Sequence, residues 1–266
     1  MDHSSPQISV ITAVFNRVET VQQALDSVRA QTWSNVQHIV IDGASRDGTL
    51  EVLEQHRASL SVLLSEPDKG IYHALNKGLR LATGDVIGFM HSDDFYADDG
   101  VLETVARAFS DPTIDGVYGD LDYVDKHAPD RVIRAWRSGE FSRPRLARGW
   151  MPPHPTLFLR RAVIERWGGF DTRYRIAADY DAMLRYLGQG EIRLAYIPQV
   201  LYKMRTGGES NRSLLRILRK SSEDYSALKR NGVGGLRALA WKNLGKLPQF
   251  FVGSAAAGAH SSAFNP

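Results

Sequence analysis

The sequence predicts an α/β protein: a mixed sheet with helices on both faces, followed by a basic helical C-terminal extension. Three observations carry that prediction. Residues 1–110 alternate β-branched apolar runs with stretches of helical period, the pattern of parallel strands joined by crossover helices. Beyond residue 110 the runs read as mixed or antiparallel strands. The charge also divides: residues 1–210 hold 24 Lys+Arg against 28 Asp+Glu, whereas residues 211–266 hold 9 against 2. With 266 residues, 43% of them hydrophobic, the chain can bury one substantial core, or one domain with an appendage.

The elements follow in order. ISVITAVF (8–15) is continuously apolar and β-branched, the mark of a buried parallel strand. Val18, Val21, Leu25 and Val28 recur at helical spacing. VQHIVIDG (36–43) is a second strand, and Asp47 with Thr49 opens a second helix through Leu50, Leu53 and Glu54. LSVLLSE (60–66), IYHALNKGLRLA (71–82) and DVIGFMHS (85–92) continue as strand, helix and strand, with a helix near 99–109. Strands are expected at 115–125 and 131–138, then a long loop, RPRLARGWMPPHPTLFLRR, running into another strand. Helices are expected at about 161–167 and 178–188, and a last strand from Ile192 to about Arg205. The body is therefore 1–210, in halves of about 6–110 and 111–210. The tail is 211–266, its last ~12 residues expected to be flexible.

Composition excludes several chemistries. There is no cysteine, so disulfides, thiolate zinc sites and a cysteine nucleophile are ruled out. The body is net acidic and the basic excess lies in the tail, which argues against a nucleic-acid partner. MDHSSPQISV has no basic patch followed by a long apolar run, so no signal peptide is expected, and no segment is long and apolar enough to span a bilayer.

Doubly wound sheets bind ligands beyond the C-terminal ends of their strands. Here those ends are Ala13–Asn16, Asp42, Glu66–Lys69 and Ser92–Asp94. Asp93 and Asp94 are adjacent, which is costly without a cation. A hard divalent ion such as Mg2+ or Mn2+ would relieve the repulsion, and the bland alternative is a solvated acidic turn. Asp42 resembles a phosphatase nucleophile, but Ala44 stands where that chemistry needs a second aspartate. A hydrogen-bond acceptor for a base or ribose is the better reading. Neither a G-x-x-x-x-G-K-[ST] loop nor a G-x-G-x-x-G turn is present, so a bound diphosphate would need another counter-charge. Later, Tyr180, Met183, Leu184 and Leu187 form a helical stripe bordered by Asp179, with Asp181 turned away. Asp179 is the general-base candidate, against the alternative of a carboxylate favoured by the helix dipole.

Together the stretches SVITAVFNR, QTWSNVQHIVIDGASRDGT, SEPDKGIYHALNKGLRLATGDVIGFMHSDD and GGFDTRYRIAADYD resemble family 2 glycosyltransferases, the inverting enzymes with the GT-A fold. The likeness is closest to the branch that builds bacterial exopolysaccharide, O-antigen or glycolipid sugars, and it covers roughly residues 6–210. It implies a Rossmann-like, nucleotide-diphospho-sugar transferase fold with a nucleotide-binding half and an acceptor half. By position, Ala13 and Phe15 would flank the base, and Asp42 would accept from it. Asp68 and Lys69 would lie beside base and ribose. Asp93 would meet the ribose, and Asp94 would hold Mn2+ or Mg2+ on the diphosphate. His154 would lie near the donor sugar or diphosphate, and Asp179 would be the base. The chain departs from the branch at His73 and His91 and lacks the QxxRW motif of processive synthases, which implies addition of one sugar at a time. Arg205, Ser210 or Arg212 would close over the diphosphate.

The implied function is metal-dependent, inverting transfer of one sugar from a nucleoside-diphosphate donor to a lipid-linked saccharide or glycolipid. The alternatives are a sugar nucleotidyltransferase, disfavoured by the missing G-x-G-T-R loop, and a non-catalytic nucleotide-sugar binding module. In the tail, Leu236, Leu239, Ala240, Leu244 and Leu247 lie close to one face, with Arg237, Lys242 and Lys246 elsewhere. Trp241 and Phe250–Phe251 suit an interface. The expectation is a cytoplasmic enzyme, peripheral on the inner face of the cell membrane. The alternative is that these helices pack on the body or on a second subunit of a homodimer.

Overall fold

In a computed structural model of the chain, which describes residues 5–190, 192–206, 214–235 and 238–240, β1 (Ile8–Val14) is buried along its whole length. It lies between β2 (Val36–Asp42) and β4 (Val86–Phe89), parallel to both, and β2 pairs in parallel with β3 (Val62–Ser65). The side chains of β1 alternate. Ile11 and Ala13 face one layer with Ala74 and Leu75 of α3 (Ile71–Leu81), while Ile8 and Val10 face another with Leu102 and Val105 of α4 (Val101–Ala108). α1 (Val21–Arg29) buries Val21, Ala24, Leu25 and Val28, an i, i+3, i+4, i+7 stripe; Val18 precedes the helix. α2 (Thr49–Gln55) has Gly48 at its N-cap, and Asp47 just before it accepts from the Thr49 amide at 3.1 Å and its hydroxyl at 2.5 Å.

Beyond β4 the sheet becomes mixed, and its order is β3-β2-β1-β4-β8-β6-β9-β5, with β7 on β6. β8 (Phe158–Arg160) is antiparallel to β4 and to β6 (Gly116–Val124). β9 (Leu194–Arg205) runs parallel to β6, β7 (Val132–Trp136) antiparallel to it, and β5 (Phe95–Tyr96) antiparallel to β9. The expected strand 85–92 ends at Phe89. The Met90 amide still donates to Ile11 O of β1, but the His91 amide leaves the ladder for the Tyr202 hydroxyl. The loop expected before β8 contains α5 (Arg143–Ala147) and a 3₁₀ turn at His154–Thr156. Gly88 sits against the ring of fully buried Phe158, where an added Cβ would come within 2.3 Å of Cε1. Gly88→Ala should therefore destabilise the fold by roughly 1–3 kcal/mol, read from urea unfolding; an unchanged midpoint would contradict this packing.

α6 (Arg161–Trp167) and α7 (Ala178–Leu184) follow, and α7 runs into a π turn at Arg185–Gln189. α8 (Leu214–Arg230) packs on α7, with Ala227 and Leu228 buried in the same core as Tyr180, Met183 and Leu184. Ala238 is buried there too, and Leu239 packs beside it. This part of the basic tail thus shares the body's core. Ser210, Arg212, Leu236, Arg237, Trp241, Lys242, Leu244, Lys246, Leu247, Phe250, Phe251 and the final residues lie outside the described residues. No helix among the described residues is long and apolar enough to cross a membrane.

Candidate active site

The strand ends converge as parallel topology requires. β2 ends on Asp42, which is fully buried and saturated within the protein. The Ser45 hydroxyl donates to its Oδ1 at 2.5 Å, the Ser65 hydroxyl to its Oδ2 at 2.6 Å, and the Ser45 amide at 3.1 Å. Asp42 thereby fixes the loop after β2. In that loop Ala44 holds φ of 62°, a sparsely populated conformation for a residue with a Cβ. Asn16, at φ of 50°, reaches across and accepts the Arg46 amide at 3.0 Å. Ala13 is packed into the core, whereas Phe15 beside it is 58% exposed, a bare ring at the sheet's ligand edge. Asp68 pairs with Lys77 at 2.6 Å, and Lys69 is exposed beside it. A shallow cleft of about 340 Å³ lined by Glu66, Asp68, Lys69 and His73 opens there. Gly70, at φ of 130°, makes the turn into α3 that an L side chain would resist.

The two aspartates after β4 have unlike surroundings. Asp93 is half-buried, with Arg17 Nε 3.8 Å from its Oδ2. Asp94 is 2% exposed. Its Oδ1 accepts the Arg205 amide at 2.9 Å, and its Oδ2 lies 3.4 Å from His91 Nδ1. Burial, above the opposing effect of His91 and reinforced by Asp93, raises the Asp94 carboxyl to about 6. For His91, burial acts downward, but Asp94, then Asp93 and Asp179, lift it net above its ordinary value. The Arg205 guanidinium donates to the Asp93 carbonyl at 2.5 Å and to Gln23, so Arg205 secures the end of β9 against the pair.

Asp179 comes to the same place from α7. The Tyr72 hydroxyl, on the first turn of α3, shares its one proton between the Ile176 carbonyl at 2.7 Å and Asp179 Oδ1 at 3.1 Å. Between Asp94 and Asp179 runs a row of rings. The His91 and His154 centroids are 6.2 Å apart, His154 and Phe170 5.7 Å, and Phe170 and Tyr72 5.5 Å. His154 also stacks on Phe89 at 5.2 Å, and burial lowers it to about 4, leaving a neutral imidazole at neutral pH. Asp181, expected to be structural, is more deeply buried than Asp179 and is held by Arg185 Nε at 3.0 Å and Asn231 Nδ2 at 2.9 Å.

Tyr72, Phe170 and Arg17 escape the sequence reading. Tyr72 is one apolar position in a helical stripe, and Phe170 follows a Gly-Gly pair with no periodicity. A second cleft, of about 820 Å³, lies along the C-terminal half of α3, away from the strand ends. Three of its four arginines are committed, Arg161 to Glu165, Arg185 to Asp181 and Arg230 to Asp171; the fourth is Arg80. Among the described residues, no group of three or more His, Asp or Glu side chains is placed to hold a metal ion.

Comparison with known proteins bears on the family and the fold. The profile of Glycosyl transferase family 2 matches residues 9–167. An uncharacterized glycosyltransferase of Mycobacterium tuberculosis is 34% identical over 187 residues, 68% of this chain and 69% of that protein. A PGL/p-HBAD biosynthesis glycosyltransferase of the same species is 28% identical over 217 residues, 78% of this chain and 80% of that protein. Among solved structures, the mannosyltransferase PcManGT from Pyrobaculum calidifontis, in complex with GDP-Man and Mn2+, aligns with a TM-score of 0.65 at 22% identity, covering 98% of this chain and 78% of that one. Staphylococcus aureus TarS 1–349 with UDP-GlcNAc aligns with a TM-score of 0.63 at 19% identity, covering 85% of this chain and 66% of that one.

Proposed function

The chain belongs to glycosyl transferase family 2 and is a glycosyltransferase, and from that premise we propose that it moves one sugar from a nucleoside-diphosphate donor to an acceptor hydroxyl with inversion. The observation that carries this reading is the row of rings from Asp94 through His91, His154, Phe170 and Tyr72 to Asp179. It joins two carboxylates from opposite halves of the chain at one end of the sheet. A donor spanning that row would put its diphosphate near Asp94 and its anomeric carbon toward Asp179.

In this reading Phe15 offers its exposed ring to the base, and the Asp42–Ser45–Ser65 cluster holds the loop beside it. Asp68, Lys69 and Asp93 lie toward the ribose, and neutral His154 lies beside the transferred sugar. Asp179 accepts the proton of the acceptor hydroxyl as that oxygen attacks the anomeric carbon. The bond to the diphosphate breaks on the opposite face, which inverts the centre. Asp94 fits one hard divalent cation: it is a buried carboxylate beside a second one, and burial raises it to about 6. Asp94 would hold Mn2+ or Mg2+, which would supply charge neutralisation for the leaving diphosphate.

PcManGT binds GDP-Man with Mn2+ and TarS binds UDP-GlcNAc, which supports a nucleotide-sugar donor without selecting the base. The mycobacterial PGL/p-HBAD relative supports a glycolipid acceptor. Thermal unfolding with UDP-, GDP- and dTDP-sugars, each with Mn2+ and with chelator, tests the reading. One donor class should stabilise the protein by about 2–3 kcal/mol at 100-fold over its Kd, and only with metal. Stabilisation that persists in chelator would remove the cation from the proposal.

A further inference from the structure

We propose that Glu223, on α8 in the basic tail, is a positioning residue for the general base: it holds the backbone turn that leads into the helix carrying Asp179. The inference rests on the assignment of Asp179 above. The Glu223 carboxylate accepts three successive backbone amides: Arg175 at 3.1 Å, Ile176 at 2.8 Å and Ala177 at 3.0 Å, all on Oε2. Consecutive amides turned toward one oxygen form an anion-holding concavity. These residues lead directly into α7, whose N-cap is Ala177, a residue with no capping side chain. The helix that carries Asp179 therefore takes its N-terminal anchor from another part of the chain. A carboxylate there is also favoured by the helix dipole.

The same turn presents the Ile176 carbonyl to Tyr72, whose hydroxyl contacts Asp179. Glu223 thus fixes the backbone on one side of the base, and Tyr72 ties that backbone and the base to α3. Further along, α8 grips the body at two more points. Asn231 donates to Asp181, and Arg230 pairs with Asp171 at 2.5 Å. A helix meant only for a lipid surface would have no need of these contacts. The path from Glu223 to Asp179 is short, contiguous and made of backbone. A shift of that turn would move the carboxylate relative to the acceptor oxygen while leaving the donor-binding strand ends in place. Rates are sensitive to such a shift: a ~1 Å misplacement of a reacting group can cost about 100-fold.

The test uses the full chain, the sugar nucleotide that stabilises it with Mn2+, and a panel of alkyl glycosides as acceptors. Glu223→Met keeps the side-chain length and removes both acceptor oxygens; Glu223→Gln restores one. The expected result is a fall in kcat of about 10–100-fold for Glu223→Met with donor Kd unchanged, substantial recovery in Glu223→Gln, and faster amide exchange at Arg175–Ala177 in the methionine variant only. A folded Glu223→Met enzyme with wild-type kcat overturns the inference, as does a loss of donor affinity equal to the loss of rate. If Glu223→Met does not fold, Glu223→Asp, one methylene shorter, is read by the same criteria. Asp179→Asn run in parallel separates the two ideas. Full rate in that variant removes the base assignment itself, whereas its loss alongside an unaffected Glu223→Met removes only the role of Glu223.

Discussion

Asp179→Asn should bind the donor as the wild type does and lose ~10²–10⁴-fold in transfer rate, the usual worth of general-base assistance. The substitution is conservative in geometry. Oδ1 accepts the Tyr72 hydroxyl at 3.1 Å and the Tyr180 amide at 2.8 Å, and an asparagine carbonyl oxygen can keep both bonds. What disappears is the capacity to take a proton. Donor titration and steady-state release of nucleoside diphosphate measure the two quantities separately. A variant that keeps full turnover would show that the proton leaves by another route, and the row of rings would then end on a carboxylate with a purely structural job.

Asp94→Asn should do something less expected: stabilise the protein without metal while abolishing the metal-dependent gain from the donor. Burial raises the Asp94 carboxyl from its ordinary 3.8 to about 6. A group titrating higher in the folded state than in the unfolded one contributes fully only below its unfolded value. That contribution is lost as pH rises through the folded value, so at neutral pH ionised Asp94 costs on the order of 2–3 kcal/mol. The amide does not titrate, so its advantage should be absent near pH 4 and complete above about pH 7. Urea unfolding at both pH values, in chelator, measures the difference. An advantage of equal size at both would assign it to packing, not charge. The predicted trade fits a site where a functional cation offsets a charge the fold alone tolerates poorly.

How much of this was legible in the sequence depends on what kind of signal each part leaves. β1, β4 and most of β2 are buried on both faces, which makes their sequences predominantly apolar, and the residues at the ends of the first four strands stood out: Phe15, Asp42, Asp68 and the Asp93–Asp94 pair. Asp179 was visible beside its apolar stripe but carried two readings, and only the Tyr72 contact brings it to the strand ends. β5 left no trace, because two residues cannot show a period, whereas β8 is the strand into which the long loop was expected to run. The sheet order beyond β4 was equally silent, since strand pairing there joins segments far apart in the chain. Arg205, read with Ser210 and Arg212 as a candidate cover for the diphosphate, grips the Asp93 carbonyl. Glu223 was invisible for a different reason. An acidic residue beside another in a basic helix reads as a solvated charge until its partners, 46–48 positions earlier, fold against it.

The amide that Arg205 lends to Asp94 crosses 111 positions of chain, and this bears on how the enzyme is made in the cell. A ribosome adding ~5–20 residues per second leaves an interval of roughly 5–20 s between the two. Throughout it, β5 lacks its β9 neighbour, the His91 amide lacks the Tyr202 oxygen, and adjacent negative charges stand without their backbone brace. The nascent N-terminal half is thus an incomplete intermediate that a chaperone could recognise. A message truncated before codon 205 would yield an inert polypeptide, not a smaller working enzyme.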